Sequence, residues 1–221
     1  MMILGWRCPV CGASGRVPCR ECHAQLRAAG PVPKLEGVDW TAALLSYRGV
    51  GRELVARAKF RNQRAALAWL GRGMAEIVRA NAPAVIDVIT FAPANLSHVR
   101  ARGFDHGALL ARVVAQRLGL PVGAELQRGR GTPLTGRSAG ERHGGPPLAP
   151  RRKARNVGAW PLLGRSVLLV DDVITTGATM ATAAVQLRGM GASVVLAVAA
   201  AYTPAPSARA EIVMNLPGPA R

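Results

Sequence analysis

Two carboxylates, Asp171 and Asp172, stand just before Thr175-Thr176-Gly177-Ala178-Thr179, and four cysteines stand near the front of the chain as Cys8-Pro-Val-Cys11 and Cys19-Arg-Glu-Cys22. Each group has residue types and spacing that could do chemistry. The acids accept hydrogen bonds and repel phosphate, which suits a sugar diol. The run that follows is small and hydroxyl-rich, and Gly177 lets the backbone approach an anion closely. A helix starting there adds unpaired N–H groups and a partial positive charge. A ligand with a phosphate at one end and vicinal hydroxyls nearby, a ribose 5-phosphate, satisfies both halves. The plainer reading is an ordinary strand-to-helix turn with Asp-Asp as a solvated cap, but such a turn has no need of this Thr/Gly order.

The cysteines form two C-x-x-C turns, which offer four thiolates to a tetrahedral Zn²⁺. Four sulfurs close the site, so the ion is expected to be structural. Gly12 and Gly15 suit the sharp bends, and Arg7, Arg16 and Arg20 would help offset a dianionic centre. His23 could replace one ligand, although its adjacency to Cys22 makes that awkward. Four unrelated thiols are the alternative.

These residues need elements to hold them. Val167–Val170 has the β-branched and leucine content of a strand buried on both faces, and the stretch beyond Gly177 is helical, with Met180, Ala184 and Leu187 on one stripe. That is the strand–turn–helix unit of an α/β sheet, whose ligand sits beyond the strand's carboxyl end. Further strands are predicted at Trp40–Tyr47, Val85–Phe91 and Ser193–Ala201. Helices are predicted at Arg52–Phe60, Arg64–Ala80 (with Leu67, Leu70, Met74 and Ile77 as core) and Asp105–Leu118, with Asp105 as N-cap. Gly49–Gly51 reads as a turn. Ala92-Pro93-Ala94-Asn95 is a second turn at a strand's carboxyl end and a candidate anion site. Arg100 and Arg102 after it could clamp phosphate or form a solvated basic turn, and His106 reads as a surface residue.

The chain has 221 residues, 49% of them hydrophobic, enough for one substantial α/β domain and a small appendage. Its net charge is +17, carried by arginines apart from Lys34, Lys59 and Lys153. That charge favours nucleic acid, phosphorylated ligands or an anionic membrane surface, although a GC-rich genome produces the same arginine, alanine and glycine bias. No 18-residue apolar stretch exists and the apolar start is too short for a signal peptide, so a cytoplasmic protein without a membrane span is expected. Gln127–Arg155 is rich in glycine and proline, with many basic residues against the single acid Glu141. It is either a functional lid, a disordered basic arm that binds single-stranded DNA through its phosphates, or a solvated insertion. Aromatics are only 4% of the chain, so such DNA binding would be salt-sensitive and weakly sequence-specific.

The stretch Val167–Met180 resembles the motif by which type I phosphoribosyltransferases bind 5-phosphoribosyl 1-pyrophosphate (PRPP). The resemblance implies that Asp171 and Asp172 hold the ribose hydroxyls and that Thr175–Thr179 hold the 5′-phosphate. It also implies that the turn at Pro93, Ala94 and Asn95 takes pyrophosphate, that Mg²⁺ accompanies PRPP, and that a flexible hood closes near Gln127–Arg155. Over nearly the whole chain, the paired C-x-x-C, Lys59-Phe60, Arg102-Gly103-Phe104, Arg155-Asn156 with Ala159-Trp160, and the PRPP loop together resemble the ComF/GntX family of competence proteins. The chain departs from that family at Ala92-Pro93-Ala94, where the family has Pro-Val-Pro, and at Asp105-His106, where it has Asn-Gln.

The resemblance implies an α/β fold with a type I phosphoribosyltransferase-like core, a central, mostly parallel sheet flanked by helices, behind an N-terminal Cys₄ zinc-knuckle module. The expected divisions are a module at 1–27, a linker at 28–39, the phosphoribosyltransferase-like domain at 40–205 and a loose tail at 206–221. It further implies PRPP binding through Asp171, Asp172, Thr175–Thr179, Pro93–Asn95 and Lys59. The implied role lies in natural competence, with single-stranded DNA and proteins of the DNA-uptake machinery as partners. The alternative is an active phosphoribosyltransferase with Asp171 and Asp172 as its catalytic acids.

Overall fold

The computed structural model describes residues 6–60, 63–129, 147–151 and 162–204. Most of the expected loop 127–155, the motif residues Arg155-Asn156 and Ala159-Trp160, the expected tail 206–221 and the Arg102 side chain lie outside them.

The elements are α1 (Arg20–Ala24), β1 (Trp40–Ser46), α2 (Gly49–Ala58), α3 (Arg64–Asn81), β2 (Val88–Phe91), α4 (Leu96–Arg102), α5 (His106–Leu118), β3 (Leu126–Arg128), β4 (Leu148–Pro150), β5 (Ser166–Ile174), α6 (Ala178–Gly189) and β6 (Val194–Tyr202). Four strands form a parallel sheet in the order β1-β6-β5-β2. The fold is α/β with a mostly parallel central sheet, as expected. A short bridge pairs Ile89 with Val122 on the outer side of β2.

Successive strand residues face opposite sides, so a strand covered on both faces reads as a continuous apolar run. Leu168, Val170, Leu196 and Val198 pack with Leu70, Met74, Leu110 and Val114 of α3 and α5. Val167, Leu169, Val195 and Ala197 pack on the other side with Met180, Ala184 and Leu187 of α6. The predicted stripe Leu67, Leu70, Met74 and Ile77 is buried. Truncating a fully buried leucine such as Leu168 to alanine costs roughly 2–5 kcal/mol.

Three boundaries differ from the sequence reading by three residues or more. Gly49–Gly51, read as a turn, opens α2. β2 is shorter than the predicted Val85–Phe91. β5 is longer than Val167–Val170 and takes in both aspartates, because β6 pairs with it as far as Ile174 opposite Tyr202. Residues 28–39 run against the sheet: Ala29 N–H donates to the Leu44 carbonyl, Asp39 Oδ2 accepts from Val195 N–H at 2.8 Å and pairs with Arg188, and Leu35 and Val38 join the core. The ends of the expected basic loop are tied by the antiparallel pair β3–β4. No helix among the described residues is long and apolar enough to cross a membrane.

Candidate functional site

The connections of the sheet part between β2 and β5. From β2 the chain runs outward through α5 to the bridge at Val122, and from β5 it runs the opposite way through α6 to β6. Such a divergence opens a crevice at the carboxyl ends of the two strands. β2 ends with Phe91 opposite Val170, and the Ala92 N–H closes the ladder on the Val170 carbonyl at 3.0 Å. Asp171 and Asp172 extend beyond that last partner.

Strand alternation separates the two acids. Asp172 has the parity of Leu168 and Val170, and so faces the side covered by α2, α3 and α5. There it meets Lys59, the C-cap of α2, whose Nζ lies 2.6 Å from its Oδ2. His106, the first residue of α5, places Nδ1 3.5 Å from the same oxygen. Burial raises the Asp172 carboxyl, but His106 and Lys59 outweigh it and hold the group well below the usual carboxylate range. His106 is only 2% exposed, which corrects its reading as a surface residue. Asp105 caps α5 as expected, accepting from Ala108 N–H at 3.2 Å, and this aims the next side chain inward. A single buried histidine leaves no pattern of burial in sequence. It could have been found only through its place beside a cap on a helix that packs against the sheet.

Asp171 has the parity of Val167 and Leu169. Its Oδ1 accepts from the Asp172 N–H at 2.7 Å. Burial, followed by the neighbouring Asp172 charge, pushes its carboxyl well above the ordinary value, against the pull of the Asp172 N–H and Lys59. The sequence reading treats the two acids as equivalent, whereas the sheet gives them opposite faces and opposite shifts.

The hydroxyl-rich run follows β5 directly. Thr175 and Thr176 are exposed, Gly177 is buried, and Ala178 and Thr179 are half-buried. Gly177 has φ +80°, in the left-handed region that favours glycine, and caps α6. A Cβ there would collide with the side chain of Leu35. Ala178 N–H donates to Thr176 Oγ1 at 3.3 Å, so one threonine already shapes the loop.

The turn at Pro93, Ala94 and Asn95 lies at the end of the adjacent strand and is fastened by the protein itself. Ala94 N–H donates to Asp105 Oδ2 at 3.0 Å, Arg128 Nε donates to the Pro93 carbonyl at 2.9 Å, and Asn95 Oδ1 accepts from Ser97 N–H to cap α4. Asp105, one of the departures noted in the sequence, thus occupies the Ala94 amide expected to face an anion. Arg100 is exposed on α4.

The four cysteines do converge. Their sulfurs all lie within 4.8 Å of one another, with Cys11 and Cys19 3.5 Å apart. A tetrahedral ion with bonds of about 2.3 Å spaces its sulfurs about 3.8 Å apart, so the cluster fits a zinc knuckle. The first turn is closed by Gly12 N–H on the Cys8 carbonyl, and Cys19 caps α1 by accepting from Cys22 N–H at 3.5 Å. Burial pushes Cys19 up to about 11 and Cys22 higher still. At Cys8 burial also raises the thiol, but backbone N–H groups bring it down to about 7. A cation among them would draw the raised thiols of Cys19 and Cys22 to thiolates as well. His23 stays out of the cluster and packs edge-on against Trp69, with ring centroids 5.9 Å apart.

No protein-family model matches the chain, and no curated protein does. Solved structures do. The chain is similar to the glutamine phosphoribosylpyrophosphate amidotransferase of B. subtilis, with 21% identity over 63% of this chain and a TM-score of 0.41. It is similar to a purine phosphoribosyltransferase from Pyrococcus horikoshii, with 21% identity over 65% of this chain and 77% of that one and a TM-score of 0.39. It is also similar to an APRTase from Giardia lamblia, with 16% identity over 81% of this chain and 82% of that one and a TM-score of 0.40. The chain spans 27% of the amidotransferase's length. What the cleft takes is therefore read from its own residues.

Proposed function

We propose that the cleft between β2 and β5 binds a phosphorylated pentose, PRPP. The observation that carries this reading is Asp172, paired with Lys59 and approached by His106 at the end of β5 just upstream of the Thr/Gly turn that opens α6. An acceptor of hydroxyl hydrogens thus stands one short turn from a set of donors suited to phosphate, at the sheet's crevice. Asp172, with Asp171 beside it, accepts from the ribose hydroxyls. Thr175, Thr176 and Thr179 and the first-turn amides of α6 hold the 5′-phosphate. Lys59 lends its charge to the anionic ligand while keeping Asp172 ionised. At the diphosphate end the turn Pro93–Asn95 contributes through the backbone N–H of Asn95, because proline has none and that of Ala94 is taken by Asp105.

Apart from the four cysteines, the described residues contain no cluster of three or more potential metal ligands. Mg²⁺ would accompany the ligand, and it would supply neutralisation of the diphosphate charge. Zn²⁺ is the ion for Cys8, Cys11, Cys19 and Cys22, and its role is structural.

Binding of PRPP by calorimetry, with and without Mg²⁺, tests the reading. The Asp171→Asn/Asp172→Asn double variant should bind at least tenfold more weakly, and equal affinity would overturn it.

A second reading makes the cleft catalytic. The Lys59 ammonium favours it, since a cation there would stabilise charge developing on a departing diphosphate. Pyrophosphate leaves C1 through an oxocarbenium-like state and a nitrogen nucleophile attacks, while the protein positions the partners. Release of pyrophosphate across a panel of nucleobases separates enzyme from binder.

The resemblance adds a cytoplasmic role in natural competence, with single-stranded DNA and DNA-uptake proteins as partners. The net charge of +17 supports a polyanionic partner. Binding of this kind weakens steeply with salt, so a gel shift of single-stranded DNA should fade between low and physiological salt. Absence of any shift at low salt would remove the DNA reading.

A further inference from the structure

We infer that His106 is a positioning residue of the cleft: its Nδ1–H holds Oδ2 of Asp172 and leaves Oδ1 to the ligand. The inference rests on the pentose reading only for what Oδ1 then meets. Three observations carry it.

The ring is 2% exposed, and neither of its nitrogens has a hydrogen-bond partner among the described residues. A buried imidazole cannot stay that way without cost, because each buried donor must find an acceptor. Asp172 Oδ2 stands 3.5 Å from Nδ1, so a small turn of the ring completes a charge-assisted bond.

The ring is also held in place. Asp105 locks the first turn of α5 through Ala108 N–H, and it ties that turn to the next strand end through Ala94 N–H. A Cβ at Gly107 would lie 2.9 Å from the Ala92 carbonyl oxygen, so the absence of a side chain there lets α5 press against the end of β2.

Finally, Lys59 and His106 approach the same carboxylate oxygen from two elements. Two donors on Oδ2 fix the carboxylate's rotation. Lys59 alone, on a long flexible stem, would not. His106 therefore sets the direction in which Asp172 presents its second oxygen.

Two measurements on the intact protein test this. In ¹⁵N-histidine spectra of the ligand-free protein, His106 should show the tautomer protonated at Nδ1, and Asp172→Asn should move its resonances. An Nε2-protonated ring, or one indifferent to Asp172→Asn, overturns the proposal. In PRPP titrations, His106→Leu should weaken affinity about tenfold while the thermal midpoint stays within a few degrees, and His106→Gln, whose amide can still donate, should return affinity to within about threefold of wild type. Equal weakness of the Gln and Leu variants overturns it. If the wild-type protein binds no PRPP, the pentose reading fails, and the spectra still decide the role of His106.

Discussion

The cysteine knuckle and the cleft are both clusters of chemically capable side chains, yet they are assembled in opposite ways. The knuckle draws Cys8, Cys11, Cys19 and Cys22 from one short stretch and needs only two turns to gather them. The cleft draws Lys59 from the end of one helix, His106 from the start of another and Asp172 from a strand, and only the packed sheet brings them together. A local cluster is stabilised by what it binds, whereas a long-range cluster is stabilised by the fold around it. With Zn²⁺ held as proposed, the knuckle should fail when the ion is removed, and the cleft should tolerate ligand loss but respond sharply to single charges.

The largest expected effect is at the knuckle. One Zn²⁺ per chain is expected by atomic emission. Structural zinc sites contribute on the order of 10 kcal/mol of binding free energy, so chelation or Cys22→Ser should lower the thermal midpoint by ten degrees or more. A zinc-free protein with an unchanged midpoint would erase the contrast between the two regions.

Next comes Lys59→Met. It strands the Asp172 carboxylate with only His106 for company. Removing one partner of a fully buried pair costs about 3–5 kcal/mol. Here each side chain keeps about a quarter of its exposure, so about 2 kcal/mol is expected in denaturant unfolding at pH 7. Adding Asp172→Asn should recover most of that loss, and strict additivity would show the pair to be uncoupled.

The smallest effect sharpens the contrast within the cleft. The Asp171 carboxyl is raised in the folded protein, so its contribution is fully present below the ordinary value and is lost as pH rises through the folded one. Asp171→Asn should therefore stabilise at neutral pH, by less than Lys59→Met destabilises, with the gain vanishing below the ordinary carboxylate range. Asp172 is depressed, so its contribution is present above the ordinary value and fades as pH falls through the folded one. Unfolding curves of the two asparagine variants against pH should diverge in opposite directions at neutral pH. Parallel curves would mean that the two faces of the strand are electrically alike.

The same contrast explains what could be read beforehand. The cysteine turns and the apolar runs of β5 and β6 were plain in the sequence, because spacing and composition are local properties. So was the cap at Asp105, which acts on its own helix. The extension of β5 through both aspartates was not, because a partner strand distant in sequence decides where a strand stops. The burial of His106 is illegible for the same reason: one polar residue at the start of an amphipathic helix carries no mark of it. Lys59 stood out only by resemblance, as its meeting with Asp172 depends on where α2 ends relative to the sheet. The fastening of the Ala94 amide by Asp105 required two segments to be seen at once.

The seat of Leu35 over Gly177 has a further consequence. The hollow left by the missing side chain is filled from residues 28–39, the segment that leads away from the cysteines. Turn and segment thus share a packing contact, so a change in one bears on the other. A methyl group placed at 177 would push the tip of Leu35 out of its seat and, at a φ of +80°, strain the turn itself.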